Sequence, residues 1–327
     1  MGLTTYIIRR VLISIPTFLG VTVIIFFLIQ LAPGNIVDFY LSANPEMAMD
    51  QEYVQMIEER FGLNDPIHIQ YAKWLKRVLI FDFGYSFETH RKISEELGSR
   101  LGATVALFLF SHLIIGWPLA ILLGVLSAIK ANTIWDHLGR AFALMGISMP
   151  AFWFGLMMIL IFSVIFRWFP IGGSVSMSVE YTGVFHMLWD RGWHLFLPSV
   201  TIALRSIATV MRVTRTEMLE VLRKDYITTA RAKGLSENVV YLKHALRNSL
   251  MPVVTLIGLS MGSIFNGALL TEIVFGWPGV GRYMVHAVHV RDYPAVMAVA
   301  ILASVMVLLT NLITDITYSW INPKVRY

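Results

Sequence analysis

The chain of 327 residues has no cysteine and little charge. Without cysteine it can form no disulfide, no thiolate metal site and no cysteine nucleophile. Asp, Glu, Lys and Arg make up 14% of the residues, whereas an ordinary soluble domain carries about 25%. Because a soluble domain must face water on all sides, this shortage indicates that most of the chain avoids water.

Long uncharged stretches account for the shortage of charge. Five of them have at least the ~20 residues that a helix needs to cross the hydrocarbon core, and a sixth, residues 195–211, is interrupted only by Arg205. The five are residues 11–31, 101–129, 141–166, 248–271 and 293–314. We therefore predict an all-α polytopic membrane protein with six transmembrane helices.

The distribution of positive charge predicts how these spans are oriented. If both termini are cytoplasmic, the inner segments hold 15 Lys and Arg and the short outer loops hold 4. This is the expected bias, because cytoplasmic loops retain Lys and Arg. It also explains the net charge of +5 without any need for nucleic acid. The predicted connecting segments are a cytoplasmic N-terminus (1–10), an extracytoplasmic helical segment (32–100), extracytoplasmic loops (167–194 and 272–292), a cytoplasmic coupling loop (212–247) and a cytoplasmic tail (315–327).

Helix start signals lie in the outer segment and in the coupling loop. Asn44 with Pro45, and Asp65 with Pro66, each predict a helix in the outer segment. Residues 225–250, here called the elbow, run from the coupling loop into the start of the next span and predict a helix, a turn and a second helix. Gly234 can adopt the left-handed conformation that ends a helix, and Ser236 can cap the next one. A short stiff elbow between two spans would move both when it is pushed.

Enzymatic motifs are weak. The sequence contains no GxxxxGK[ST] phosphate loop and no HExxH. Gly258 to Gly262 matches GxSxG around Ser260, but the stretch lies inside a predicted span, where small residues serve close helix packing. His286, His289 and Asp292 are metal-ligand types at close spacing, but an exposed loop favours solvated side chains over a metal site. Arg205 remains open between two interpretations: it lines a translocation pathway, or it anchors the helix to the headgroups.

The elbow sequence DYITTARAKGL (225–235) resembles the cytoplasmic motif of ABC importer permeases, in particular the peptide and nickel transporter branch. Further blocks extend the resemblance over essentially the whole chain: FDFGYS (81–86), SMPAFW (148–153), HALRNSLMP (244–252), FGWPGVGR (275–282), RDYP (291–294) and NPKVR (322–326). The general motif begins Glu-Ala-Ala where this chain has Thr228, Thr229 and Ala230. The family often has Asp where this chain has Asn35.

The resemblance implies the type I ABC importer permease fold in the plasma membrane of a bacterium or archaeon. The implied partners are a second permease, two ATPase subunits, an extracytoplasmic solute-binding protein and membrane lipid. The chain would catalyse nothing and hold no cofactor, since ATP and Mg would bind to the ATPases. The implied ATPase-coupling residues are Tyr226, Thr229, Ala230, Arg231, Ala232, Lys233, Gly234 and Leu235.

The cargo implied by the resemblance is di- or oligopeptides. Nickel, free or chelated, is the alternative within the same machine, and glutathione-like solutes are also possible. Two other classes stay open: an ion-coupled secondary transporter, which commonly needs intramembrane acids that the five uncharged spans lack, and an intramembrane hydrolase acting through Ser260.

Overall fold

A computed structural model describes residues 3–31, 64–176, 180–261 and 264–321. Within these ranges the chain is helical, and an isolated antiparallel bridge between Tyr85 and Lys92 is the one β feature. The predicted all-α class is confirmed. The start signal at Asn44 and Pro45, Asn35 and the NPKVR block lie outside the described residues.

The helices follow one another along the chain with short connections. In chain order they are α1 (Leu3–Gln30), α2 (Ile67–Leu79), α3 (Ile93–Leu109), α4 (Trp117–Ile129), α5 (Ile134–Ser148), α6 (Ala151–Met158), α7 (Val184–Val221), α8 (Asp225–Ala232), α9 (Glu237–Val239), α10 (Leu246–Met261), α11 (Ile264–Val274), α12 (Val280–His289) and α13 (Tyr293–Ile321). Three π-helical segments, Phe110–Gly116, Ile159–Ile165 and Val240–Ala245, join or extend neighbouring helices.

Four described helices are long and apolar enough to cross a membrane: Ile7–Gln30, Ile93–Ile129, Val184–Val221 and Tyr293–Ile316. A bent pair, α5 with the α6 segment, makes a fifth if the two count as one span. In the predicted span 248–271 the structure has α10 and α11, and residues 262–263 between them are not described. The count of six spans with cytoplasmic termini therefore stays a prediction.

The predicted third span, residues 141–166, is not one continuous helix. Helix α5 ends at Ser148, α6 begins at Ala151, and the two segments meet at an angle of 109°. Met149 is extended (φ −82°, ψ 128°), as expected of a residue that precedes proline, and Pro150 precedes the first residue of α6. Pro150 thus accounts for the break, which the charge pattern alone does not reveal.

The predicted fourth span, residues 195–211, is much shorter than the helix that contains it. Helix α7 has 38 residues, and at ~1.5 Å per residue it exceeds the ~30 Å hydrocarbon core by a wide margin. It extends into both the predicted outer loop and the predicted coupling loop. Pro198 lies inside it without ending it.

The chain divides into two compact units, and the first contains Ala103–Arg282. Its core is built around α7, which contacts α4, α5, α6, α10 and α11. Small residues let these helices approach closely: a Cβ at Gly124 would lie 2.6 Å from Cβ of Thr214 and 2.8 Å from the Met211 carbonyl oxygen. Glycine at position 124 is therefore required for the contact between α4 and α7.

The second unit contains Thr4–Gly102 and Tyr283–Leu309. The helix predicted after Asp65 and Pro66 is present as α2, and it packs against α1. The Phe26 ring lies 5.5 Å from those of Tyr71 and Trp74, and the Tyr71 hydroxyl is 2.9 Å from that of Thr22. Val78 of α2 is buried, whereas Ile67 and Leu79 at the two ends of the helix are exposed.

Candidate functional site

The elbow folds as a helix, a tight turn and a second helical segment. After α8, Gly234 has φ +78°, its N–H donates to the Arg231 carbonyl at 2.9 Å, and Leu235 N–H donates to the Ala230 carbonyl at 3.4 Å. These two bonds are the Schellman arrangement that ends a helix at a left-handed glycine. The predicted turn is confirmed. Ser236 stands at the start of α9 as predicted, but its side chain makes no capping hydrogen bond.

The inner face of α8 is fixed to the first unit by burial. Ile227 is 0% exposed and Ala230 is 7% exposed. Both belong to one apolar cluster with residues from the ends of α4 and α7 and from the π segment before α10. Those residues are Val125, Ala128, Met218, Val221, Val240 and Ala245. A force applied to α8 therefore reaches three neighbouring helices directly.

The opposite face of the elbow is open. Seven of the eight residues that the resemblance assigns to ATPase coupling are exposed, and Tyr226 and Leu235 are exposed apolar side chains among them. The seven are Tyr226, Thr229, Arg231, Ala232, Lys233, Gly234 and Leu235. Ala230 is the exception, because it lies on the buried face and helps to seat the helix.

An ion pair closes the elbow across its turn. The Arg231 guanidinium donates to both Glu237 carboxylate oxygens, at 2.9 and 3.2 Å. These donors lower the pKa of Glu237, with Tyr241 as a further donor. Both side chains are largely exposed, so the pair contributes little stability by itself. Its geometry nevertheless links α8 to α9 on either side of Gly234.

A buried ion pair lies close to the same end of α7. Arg215 donates to both oxygens of Asp136, at 2.6 and 2.7 Å, and the Asp136 side chain is fully buried. The Ser127 hydroxyl and the Asn132 N–H donate to the same carboxylate. Sequence reasoning missed this pair, although Asp136 is the only acidic residue between Arg100 and Arg167. The pair ties the turn between α4 and α5 to α7.

Arg205 also lies on α7, but in a different setting. It is exposed, and its guanidinium has no hydrogen bond or ion pair to any residue that the structure describes. The Thr209 hydroxyl bonds to the Arg205 carbonyl, one turn along the helix. Arg215 is thus ion-paired and structural, whereas the Arg205 guanidinium is exposed and has no counterion among the described residues.

The turn at residues 276–281 surrounds a buried carboxylate. Glu272 is 0% exposed; it accepts hydrogen bonds from the Thr104 hydroxyl at 2.7 Å and from the Arg282 N–H at 3.0 Å. Gly276 has φ +59°, and its carbonyl accepts a bond from the Arg282 side chain. Sequence reasoning did not identify Glu272, which holds this turn.

Two of the spaced sequence blocks meet in the second unit. Asp292 of the RDYP block is 2% exposed and accepts hydrogen bonds from the Ser86 hydroxyl and the Phe87 N–H, at the end of the FDFGYS block. It also accepts from the Ala295 N–H at the start of α13. Because these hydrogen bonds engage both oxygens of the Asp292 carboxylate, the residue has a structural role: it stabilises the fold of this unit.

The hypothetical metal ligands are not assembled. His286 pairs instead with Glu88 through Nε2, at 2.8 Å. In the part of the chain that the structure describes, no three His, Asp or Glu side chains are close enough together to hold a metal ion. Ser260 lies in α10, but its side chain is outside what the structure describes, so the hydrolase alternative gains no support.

Comparisons with known proteins decide the family. Residues 120–327 match the binding-protein-dependent transport system inner membrane component family, and residues 3–108 match the N-terminal region of such membrane components. The chain belongs to this family. It is therefore a non-catalytic membrane subunit of an ABC transporter, and a multi-pass protein of the inner membrane with the type I permease fold.

Curated relatives match this permease over almost its full length. It is 39% identical to the oligopeptide transport system permease protein AppB of Bacillus subtilis, over 99% of this chain and 100% of the relative. It is 37% identical to the dipeptide transport system permease protein DppB of Escherichia coli, over 98% of each. It is 38% identical to the glutathione transport system permease protein GsiC of Salmonella paratyphi A, over 98% of this chain and 99% of the relative.

Proposed function

We propose that this permease forms half of the translocation pathway of an ATP-driven importer of small peptides. The peptide cargo is supported by the relatives, which are named for dipeptide, oligopeptide and glutathione transport. None of these names refers to nickel, so that alternative is not favoured. The proposed partners are a second, similar permease, two ATPase subunits that bind ATP and Mg, and an extracytoplasmic solute-binding protein.

One structural observation carries the proposed coupling: the elbow presents an open face while its other face is buried against three helices. Ile227 and Ala230 fix it to the ends of α4 and α7, and the exposed residues between Tyr226 and Leu235 remain available to a partner. ATP binding would close the ATPase pair, displace the elbow and open the permease pair outward. Hydrolysis would reset the machine.

The test of this function is uptake by the reconstituted complex. Proteoliposomes containing this permease with its partner permease and ATPases should accumulate radiolabelled dialanine when ATP and the solute-binding protein are supplied. Omission of either ATPase or ATP should abolish uptake. Accumulation of nickel in place of dialanine would refute the peptide cargo, and accumulation by this chain alone would refute the whole mechanism.

A further inference from the structure

Arg205 is a charged side chain in a stretch of α7 that has no other Asp, Glu, Lys or Arg. Between Arg191 and Arg212 it is the only Asp, Glu, Lys or Arg on α7. Arg191 is fourteen residues away and Arg212 seven, which correspond to about 21 Å and about 10 Å along a helix. The two flanking arginines are thus separated by about the ~30 Å thickness of the hydrocarbon core, and Arg205 lies within the stretch between them that is predicted to cross it.

Another arginine on the same helix, Arg215, has a structural role. Arg215 is bidentate to the buried Asp136, with two further donors completing the carboxylate. Arg205 has no such counterion among the described residues, although α7 is the most buried of the four described spans, with 61% of its apolar stretch inside. Packing among the described residues therefore does not explain why Arg205, on so buried a helix, carries a charge without a counterion.

Headgroup anchoring does not explain it either. Arg212 is two turns further along the same face of α7, since seven residues complete almost two full turns. Arg212 is itself exposed and stands between Arg205 and the inner end of the helix. Thr209 and Thr216 continue this polar face, because each bonds the carbonyl four residues before it and lies near the arginines. A polar face of this length is costly in lipid and is typical of a pathway.

We propose that Arg205 binds the C-terminal carboxylate of the peptide as it passes through the permease. This inference rests on the proposed peptide function and adds a recognition residue to it. A guanidinium offers a planar pair of donors that matches a carboxylate bidentately. The free C-terminal carboxylate is the anionic group that peptides share whatever their side chains. Within the predicted fourth span, Arg205 is a cation that has no counterion among the described residues.

The first test compares two cargoes and two substitutions in the complete reconstituted complex. Radiolabelled dialanine and dialanine amide are supplied at equal, saturating concentrations with the solute-binding protein. Arg205→Gln should reduce dialanine uptake by about tenfold to a hundredfold, the effect of losing a charge-assisted pair, and should leave amide uptake nearly unchanged. Arg205→Lys should retain part of the dialanine rate. Arg191→Gln, the same change at the outer end of α7, is the matched control and should change neither rate.

Other outcomes overturn the inference. An equal loss for both cargoes would mean a structural role for Arg205. A loss of assembled complex on co-purification would mean that Arg205 pairs with an acidic side chain of a partner. Normal dialanine uptake by Arg205→Gln would mean that it contacts no cargo. If the wild-type complex imports no peptide at all, the proposed function fails rather than this inference.

A second test does not depend on transport of the amide. Because the chain has no cysteine, Arg205→Cys introduces one thiol, which can be modified in the assembled complex with the wild-type complex as background. An aminoethyl methanethiosulfonate reagent, which restores a positive charge, should recover dialanine uptake at least several-fold. A sulfonatoethyl reagent, which adds a negative charge, should not. No reaction at position 205, or equal effects of the two charges, would contradict the inference.

Discussion

The Thr104 hydroxyl donates to the Glu272 carboxylate at 2.7 Å, while the Thr104 oxygen accepts the N–H of Val280 at 2.9 Å. Glu272 is fully buried, and within the described residues it has no ion-pair partner. Burial raises the pKa of Glu272, and its carboxyl group is held in place by hydrogen bonds, including one from the Arg282 N–H near the start of α12. The first turn of α12 is a favourable place for a carboxylate, so Glu272 fixes the turn between α11 and α12.

Gly279→Ala should disrupt this turn. A Cβ at position 279 would overlap the Glu272 carboxylate, so the carboxylate would have to leave its donors. Each buried donor left unsatisfied costs about 1–3 kcal/mol. We expect a lower melting temperature of the purified complex in detergent, measured by tryptophan fluorescence.

Gly98→Ala is the matched control for that substitution. Gly98 is exposed in α3 and a Cβ there meets nothing within 4 Å. Alanine is a better helix former than glycine by about 1 kcal/mol, so this control should be neutral or stabilising. Equal melting temperatures for the two variants would show that Glu272 does not hold the turn.

Arg215→Gln should destabilise the permease by about 3–5 kcal/mol, the usual cost of leaving a buried charge without its partner. Asp136 would keep its Ser127 and Asn132 donors and a long ion pair with Arg140, 3.8 Å from its carboxylate, which does not replace the two hydrogen bonds from Arg215. The double variant Asp136→Asn with Arg215→Gln should recover part of this loss, because no uncompensated charge then remains. A double-mutant cycle on thermal or denaturant stability measures the coupling, and additive effects would contradict a specific pair. Arg223→Gln, an exposed arginine near the end of α7, serves as the control.

Ile227→Ala should uncouple ATP hydrolysis from uptake. Ile227 is fully buried in the cluster that seats α8, and truncation of such a side chain costs about 2–5 kcal/mol with a cavity. A loose α8 would move without carrying α4 and α7. We expect the ratio of imported dialanine to hydrolysed ATP to fall, with ATPase activity retained. Thr228→Ala, on the exposed face one residue further, should leave the ratio unchanged; an equal fall in both variants would refute the seating role.

The sequence predicts those parts of the permease that depend on local chemistry. The apolar length of residues 11–31 and 293–314 is read from one continuous stretch of chain, and the start of α2 after Pro66 and the left-handed stop at Gly234 depend on residues within one or two helical turns. Arg215 with Asp136, and Glu272 with Thr104, are 79 and 168 residues apart. Helical periodicity in the sequence does not relate residues so far apart, so these hydrogen-bonded pairs are seen only in the folded structure.

The broken third span shows a different kind of limit. Absence of charge in residues 141–166 indicates an apolar environment, but it does not indicate a straight helix. Met149 with Pro150 was the available signal, because proline disfavours helical geometry in the residue before it. For Arg205 the sequence left two interpretations open, and the pathway proposal rests on a guanidinium without a partner among the described residues, whereas Arg215 on the same helix is paired.

The most direct test of the account is a cross-link from the open face of the elbow to an ATPase subunit. Lys233→Cys is the preferred site, because Gly234 has φ +78° and would strain with any side chain. With a cysteine in the partner ATPase groove, the cross-link should form in the assembled complex and its yield should change when ATP binds. Thr182→Cys, exposed outside the elbow, should give none. A complex that still imports dialanine but forms no cross-link from Lys233→Cys or Tyr226→Cys would contradict the elbow as the coupling element.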